Sequence, residues 1–380
     1  MKKIKVMTVF GTRPEAIKMA PLVKELESRE EINSIVCVTA QHRQMLDQVL
    51  ELFGITPDYD LDIMKERQTL VGITTRALEG LDRVMAKEKP DIVLVHGDTT
   101  TTFVGGLAAF YNGAKVGHVE AGLRTFDKWS PYPEEMNRRL TGRLADMHFS
   151  PTPKNRQNLL NEGVSDDDIF ITGNTVIDAL KTTVSDTYSF HDKNLEKLLS
   201  CGKRIILMTA HRRENLGEPL YNITRAVRRI VEEFEDTALI YPVHLNPAVR
   251  NVANEILGGH ERIHLIDPLE AGDMHNAMAR AHIIMTDSGG LQEEAPSLGK
   301  PVLVLRRETE RPEAVEAGTV RLAGVEEDVI YTMAKELLSS DEEYDKMAKA
   351  VNPYGDGLAS KRTVDAIIYK FFGGERPQNF

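Results

Sequence analysis

Three carboxylates open the functional reading of this 380-residue chain. Asp98 stands in His96-Gly97-Asp98-Thr99-Thr100, Glu120 in His118-Val119-Glu120-Ala121-Gly122-Leu123-Arg124, and Glu134 in Pro131-Tyr132-Pro133-Glu134-Glu135-Met136-Asn137-Arg138. Taken singly, each has a bland account. Asp98 suits the N-cap of a following helix, and Glu134 suits an acidic first helical turn with an i,i+4 partner in Arg138. Together they emerge from neighbouring strand ends or loops and are expected to share one cleft. Like-charged neighbours raise the pKa of at least one member and so separate an acid from a base. Proton transfer is the chemistry such a set performs.

A second set suits a phosphorylated ligand. The apolar run His282–Thr286 stops at Asp287-Ser288-Gly289-Gly290, and a helical pattern follows through Leu291 to Ala295. Glycines at such a corner let a ligand approach the backbone, and the free N–H groups of the first helical turn favour an anion. An ordinary strand–turn–helix corner has the same appearance. Glu294, one turn on, is placed for a ribose diol. The first strand ends at Gly11-Thr12-Arg13-Pro14-Glu15, with Pro14 suited to the first helical position and with Arg13 and Lys18 read as phosphate contacts rather than solvated cations. His211 (in Thr209-Ala210-His211-Arg212-Arg213-Glu214-Asn215), His244 and Arg311 (in Glu310-Arg311-Pro312-Glu313) end later strands. No His-x-x-x-His or His/Asp cluster has metal-ligand spacing, so a histidine beside a diphosphate is the expectation and no metal is expected.

These residues need elements to carry them. Strand runs are predicted at 4–10, 34–39, 91–96, 115–119 and 146–150, and again at 204–209, 238–243, 262–265, 282–286 and 301–305. Helical patterns lie between them, among them 14–28, 70–87, 220–234 and 272–279. Such alternation means an α/β fold with parallel sheets covered by helices. Two doubly wound, Rossmann-like domains are expected to face a cleft: 1–185, then a polar linker to 202, then 203–357. A last helix within 358–380 is expected to pack back on the first domain. Ligands sit at the carboxyl ends of parallel strands, where the polar residues cluster.

Composition bounds the partners. The chain is 41% hydrophobic and 28% charged, with a net charge of −11 that argues against nucleic acid or an anionic membrane as partner. Two cysteines, Cys37 and Cys201, make no disulfide framework, which fits a reducing cytoplasm. The start Met1-Lys2-Lys3-Ile4-Lys5 carries too short an apolar run for a signal peptide. No window approaches the ~20 apolar residues of a membrane span.

Together, Gly11-Thr12-Arg13-Pro14-Glu15, Gly97-Asp98-Thr99, His118 through Arg124, Pro133-Glu134-Glu135 with Asn137-Arg138, His211 through Asn215, and Asp287-Ser288-Gly289-Gly290 with Glu294 resemble the non-hydrolysing UDP-N-acetylglucosamine 2-epimerases of bacteria. The resemblance runs from residue 11 to about 313. It implies a fold like the GT-B glycosyltransferases, with UDP held mostly by the second domain. At matching positions, Ser288, Gly289, Gly290, Glu294, His211 and Arg311 become nucleotide contacts, joined by Arg13 and Lys18. Leu269 and Met274 fall at the uracil, the latter near a place where the family often has an aromatic. Asp98, Glu120 and Glu134 correspond to the catalytic carboxylates, and His211 joins them in the catalytic set. Gln41, His42, Gln44, Arg67, Arg212 and His244 become candidates for holding a second UDP-GlcNAc as activator. A homodimer is implied too.

Inverting C2 of UDP-GlcNAc to give UDP-ManNAc removes a hydrogen that no carbonyl acidifies. No Gly-x-Gly-x-x-Gly follows any strand, so oxidation by NAD is not supported and no cofactor is expected. Elimination of UDP through 2-acetamidoglucal, then re-addition, is the remaining route. Asp98 and Glu120 form the expected acid/base pair, with Glu134 in support. A retaining glycosyltransferase, a hydrolysing epimerase and a non-enzymatic nucleotide-sugar sensor are the competing readings.

Overall fold

The computed structural model describes residues 3–41, 43–65 and 68–380. Two compact units form: Met1–Thr182 with Tyr354–Phe380, and Thr183–Pro353. In the first, strands β1 (Ile4–Phe10), β2 (Ile32–Val38), β3 (Tyr59–Asp60), β4 (Ile92–His96), β5 (Lys115–Val119), β6 (Met147–Ser150) and β7 (Ile169–Ile171) make one sheet. Their order is β3-β2-β1-β4-β5-β6-β7. Each pairing is parallel, from Ile4↔Ile32 between β1 and β2 to His96↔Val119 between β4 and β5. A parallel sheet is covered on both faces, so its strands read as near-continuous apolar runs. One face of β1 sends Val6 and Phe10 into a core with Leu22, Leu26, Val364 and Ile367. Its other face sends Met7 and Val9 into a second core with Val93, Val95, Leu81 and Met85.

The second unit repeats the plan with β8 (Arg204–Thr209), β9 (Thr237–Pro242), β10 (Ile263–Ile266), β11 (Ile283–Thr286), β12 (Val302–Val304) and β13 (Val320–Leu322). Their order is β10-β9-β8-β11-β12-β13, again all parallel. Both sheets therefore reverse winding direction once, between β1 and β4 and between β8 and β11. Those are the switch points where loops part and leave room for a ligand.

Residues 185–202, read from sequence as linker, belong to the second unit. Ser185 donates its N–H to Asn276 at 3.0 Å, Tyr188 donates to Asp273 at 2.8 Å, and Lys193–Leu199 is a helix. The C-terminal helix Ala359–Phe372 lies in the first unit, with the Ala359 and Ser360 N–H groups donated to Asp178 at 3.2 and 2.7 Å. Among the described residues, no helix is long and apolar enough to cross a membrane.

Candidate active site

Glu15 organises the first switch point. It lies in the first turn of the helix Arg13–Glu27 and is 2% exposed. One carboxylate oxygen accepts the Gly11 and Thr12 N–H groups at 3.0 and 2.8 Å and the Thr12 hydroxyl at 2.8 Å. The other accepts the Thr99 hydroxyl at 2.6 Å and faces that of Thr102 at 3.2 Å. A buried carboxylate needs such donors. Here they tie the loop after β1 to the loop after β4. The Thr12-x-x-Glu15 spacing is a capping box legible in sequence, though its reach to Thr99 is not.

Thr99, not Asp98, caps the helix Thr100–Tyr111, its hydroxyl accepting the Thr102 N–H at 3.1 Å. Asp98 is therefore released from the bland role open to it. Its carboxylate takes the Arg138 guanidinium instead, and its carbonyl accepts from the Asn137 amide at 2.9 Å. Arg138 also reaches Glu135 at 3.2 Å. Glu135 is fully buried and accepts the Thr125 and Phe126 N–H groups at 3.0 and 3.2 Å, which shapes the loop ahead of the helix Glu134–Leu144. Glu134, the first residue of that helix, is half-buried and has no ion pair among the described residues.

Glu120 follows β5, the neighbour of β4, so it and Asp98 leave adjacent strands at the same end. Its backbone is left-handed, at φ 62°, a conformation disfavoured for a side chain of this size. Three groups converge on Oε2: the Lys18 ammonium, the Asn174 amide at 3.1 Å and His96 Nε2 at 3.5 Å. Burial pushes this carboxyl's pKa up, but Lys18 and then His96 overcome that and hold it well below the ordinary glutamate range. Lys18, read from sequence as a phosphate contact, thus meets a carboxylate. The side chain of Arg13, half-buried at the start of the same helix, has no hydrogen bond or ion pair among the described residues. Asn174 and His96 were missed as site residues. Asn174 precedes a Thr-Val-Ile-Asp helical pattern and reads as a cap, but the three-residue β7 before it gave no strand signal.

Asp287 plays in the second unit the part that Glu15 plays in the first. It is fully buried behind β11 and accepts the His211 and Arg212 N–H groups, at 2.7 and 2.8 Å, and the Asn215 amide at 3.0 Å. His211 Nδ1 lies 3.3 Å from its other oxygen. Burial pushes the Asp287 carboxyl up, yet the His211 ring and the two backbone N–H groups bring it below the ordinary aspartate value. Ser288 then precedes the short helix Gly289–Glu294. A Cβ added at Gly289 would sit 3.8 Å from both the Arg212 and Arg311 guanidiniums, and one at Gly290 would sit 3.2 Å from Glu294 Oε1. Two guanidiniums thus converge over a glycine turn beside His211, which suits a diphosphate. The Arg311 guanidinium is steadied by Glu293, and Glu294 Oε2 lies 3.7 Å from His275 Nε2.

The exposed ring of His244 stacks on His211 at 5.4 Å between centroids and 11° between planes. Arg212, considered from sequence for an activator, has its guanidinium at the same turn as Arg311. Leu269 lines a cavity of about 500 Å³ with Val243, Arg250, Leu265, Pro268 and Asp273, while Met274 is half-buried one residue beyond. Gln41 accepts the Thr101 hydroxyl at 3.2 Å. His42 and Arg67 lie outside the described residues, and Gln44 is described only by its place in the helix Arg43–Leu52. No group of three or more His, Cys, Asp or Glu among the described residues could hold a metal ion.

Two carboxylates at adjacent strand ends of one sheet, and two guanidiniums over a glycine turn of the other, belong to a two-sheet α/β enzyme. Residues 24–368 match the family described as UDP-N-acetylglucosamine 2-epimerase. A relative of that name from Bacillus subtilis is 62% identical over 382 residues, which span 100% of this chain and 99% of the relative. The S. aureus MnaA–UDP co-structure matches with TM-score 0.88 and 55% identity, covering 100% of both chains. The Neisseria meningitidis UDP-GlcNAc 2-epimerase bound to UDP-GlcNAc matches with TM-score 0.86 and 50% identity, covering 96% of this chain and 100% of that one. The chain belongs to the UDP-N-acetylglucosamine 2-epimerase family.

Proposed function

We propose that this protein reversibly converts UDP-GlcNAc into UDP-ManNAc by eliminating UDP and adding it back, supplying an activated sugar for cell-surface polysaccharide. One observation carries the reading. Glu120 is held as an anion through Oε2 alone, beside an Asp98 held by a different cation, Arg138. Two carboxylates with different partners at adjacent strand ends are what an acid/base pair requires.

The C1–O bond breaks with its electron pair leaving on the diphosphate. The Ser288–Gly290 turn, Arg212, Arg311 and His211 stabilise that charge as it develops, with Arg13 as a further cation. Glu294 takes the ribose, and Leu269 and Met274 lie at the uracil. As C1 becomes electron-poor, the C2 proton passes to one carboxylate of the Asp98/Glu120 pair, and the C2–H electrons form the C1=C2 bond of 2-acetamidoglucal. The other member enters as the protonated acid; the C1=C2 electrons take its proton on the opposite face of C2 as a UDP oxygen bonds to C1, leaving it ionised. Because the reaction runs both ways, each member serves as base in one direction and acid in the other. Glu134, at the N-terminus of the helix that supplies Arg138, supports charge at the sugar. The UDP and UDP-GlcNAc in the S. aureus and N. meningitidis structures support the nucleotide assignment.

Incubation with UDP-GlcNAc in D₂O, followed by NMR, tests this. Deuterium at C2 of the recovered nucleotide sugar together with UDP-ManNAc is the expected result. Free ManNAc would mean hydrolysis, transfer to an added acceptor would mean a glycosyltransferase, and binding without exchange would mean a sensor. Any of those three overturns the reading.

A further inference from the structure

We propose that Asn174 is a positioning residue for Glu120, and that the chain segment returning to the first unit at Tyr354 and Gly355 sets it in place; this rests on the epimerase reading above. Asn174 is 3% exposed and immediately follows the Thr172–Gly173 turn behind β7. Each polar group of this residue has an assigned partner. Its side-chain carbonyl accepts the Val176 N–H at 3.1 Å, which fixes the plane of the amide. Its NH₂ is thereby aimed at Glu120 Oε2, 3.1 Å away. Its backbone N–H is donated to the Tyr354 carbonyl at 2.6 Å.

Tyr354 is the first residue of the chain to rejoin the first unit after the second is complete. Backbone meets backbone closely at this point. A Cβ on Gly173 (φ +85°) would lie 3.2 Å from Gly355 Cα and 3.3 Å from the Tyr354 carbonyl oxygen, and one on Gly355 (φ +148°) would lie 3.4 Å from the Asn174 nitrogen. A side chain at Gly173 would need its neighbour to give way, whereas at Gly355 the positive φ, more than space, favours glycine. The returning segment thus reaches a catalytic carboxylate through a single residue.

The consequence is geometric. Among the described residues, Lys18 from the helix after β1, His96 from β4 and Asn174 from the turn after β7 are the cationic and polar groups on this carboxylate, and all meet Oε2. Lys18 and His96 supply charge or a ring nitrogen. Asn174 is the neutral donor whose direction is fixed at both ends, so it sets the rotation of the carboxylate and the aim of Oε1.

Asn174→Ala should lower kcat about 10–100-fold, the range for losing one hydrogen bond to a charged group, while KM for UDP-GlcNAc stays within about threefold because no nucleotide contact changes. Asn174→Asp keeps the shape but sets a second carboxylate against Glu120. The like charge raises the Glu120 carboxyl, so the limb of the kcat profile that reports Glu120 should move to higher pH by about one unit: the acidic limb in the direction where Glu120 is the base, the basic limb in the other. Gly355→Ala, which touches neither Glu120 nor substrate, should reproduce part of the kcat loss. Asp178→Asn is the control, since it loosens the same returning chain at Ala359 and Ser360 without touching Glu120. It should lower the urea midpoint and leave the pH profile unmoved. A wild-type kcat in Asn174→Ala, or both limbs unmoved in Asn174→Asp, overturns the inference. If the unmodified enzyme exchanges no C2 hydrogen in D₂O, it is the epimerase reading that fails.

Discussion

Glu120 and Asp98 leave adjacent strands yet meet different partners. Lys18, Asn174 and His96 crowd one oxygen of Glu120, whereas Arg138 takes Asp98. If both groups move protons, neither can lose its carboxylate cheaply. Asp98→Asn and Glu120→Gln should each slow formation of UDP-ManNAc by ~10²–10⁴, with UDP affinity little changed, as read by NMR of the product and by titration with UDP. Rates within about tenfold of wild type for either would remove that residue from the pair. Asp287 bears on stability as well. Its folded pKa lies below the ordinary aspartate value, because the His211 ring and two backbone N–H groups outweigh burial. Its contribution is therefore fully present above the unfolded aspartate value of about 3.9 and is lost as pH falls through the folded one. Asp287→Asn should cost about 1–3 kcal/mol at neutral pH by turning an amide toward three donors. The gap between the two urea midpoints should close as pH drops below about 4. A gap constant from pH 7 to pH 3 would contradict the assignment.

At the scale of elements, the chemistry depends on what the turn after β11 leaves out. A Cβ at Gly289 would be 3.8 Å from each of two guanidiniums, an ordinary contact, and the glycine's φ is negative. Gly289→Ala should therefore fold normally while filling the space beside Arg212 and Arg311 that the proposed diphosphate site needs. UDP affinity should fall about tenfold or more, roughly 1.4 kcal/mol per decade, in isothermal titration. An unchanged Kd would place the diphosphate elsewhere. The long strands β1, β5 and β8 and the helices behind them were legible because buried parallel strands are apolar throughout and amphipathic helices repeat every 3.6 residues. The strands missed, β3, β7 and β13, are sheet edges of two or three residues, too short for any period to register. Asp98 and Glu120 could be read because they sit just past strand ends, and Glu134 because it opens a helix. Their partners could not. Arg138 chooses Asp98 and Glu135 over Glu134, and Lys18 chooses Glu120, through distances that sequence spacing does not encode.

At the scale of the whole molecule, each unit is pinned at its switch point by one buried carboxylate, Glu15 or Asp287, that binds the loops of two neighbouring strands. In the first unit this link extends outward. The Gln41 side-chain carbonyl accepts from Thr101, Thr101 faces Thr39 at 3.0 Å, and Thr101 stands two residues past Thr99, which holds Glu15. A second molecule of UDP-GlcNAc that engages Gln41 would therefore touch a chain of hydrogen bonds leading to the loop that carries Asp98. The expected outcome is a sigmoidal dependence of rate on UDP-GlcNAc in the native enzyme. Coupling between sites is typically worth 5–150-fold in affinity, enough to bend an initial-rate curve visibly. Gln41→Ala breaks the chain at its outer end and leaves Asp98, Glu120 and the Gly289 turn untouched. Its curve should become hyperbolic, with a maximal rate near that of wild type. A hyperbolic curve in the native enzyme would show that no such activator operates, and a sigmoid kept in Gln41→Ala would place it away from this loop.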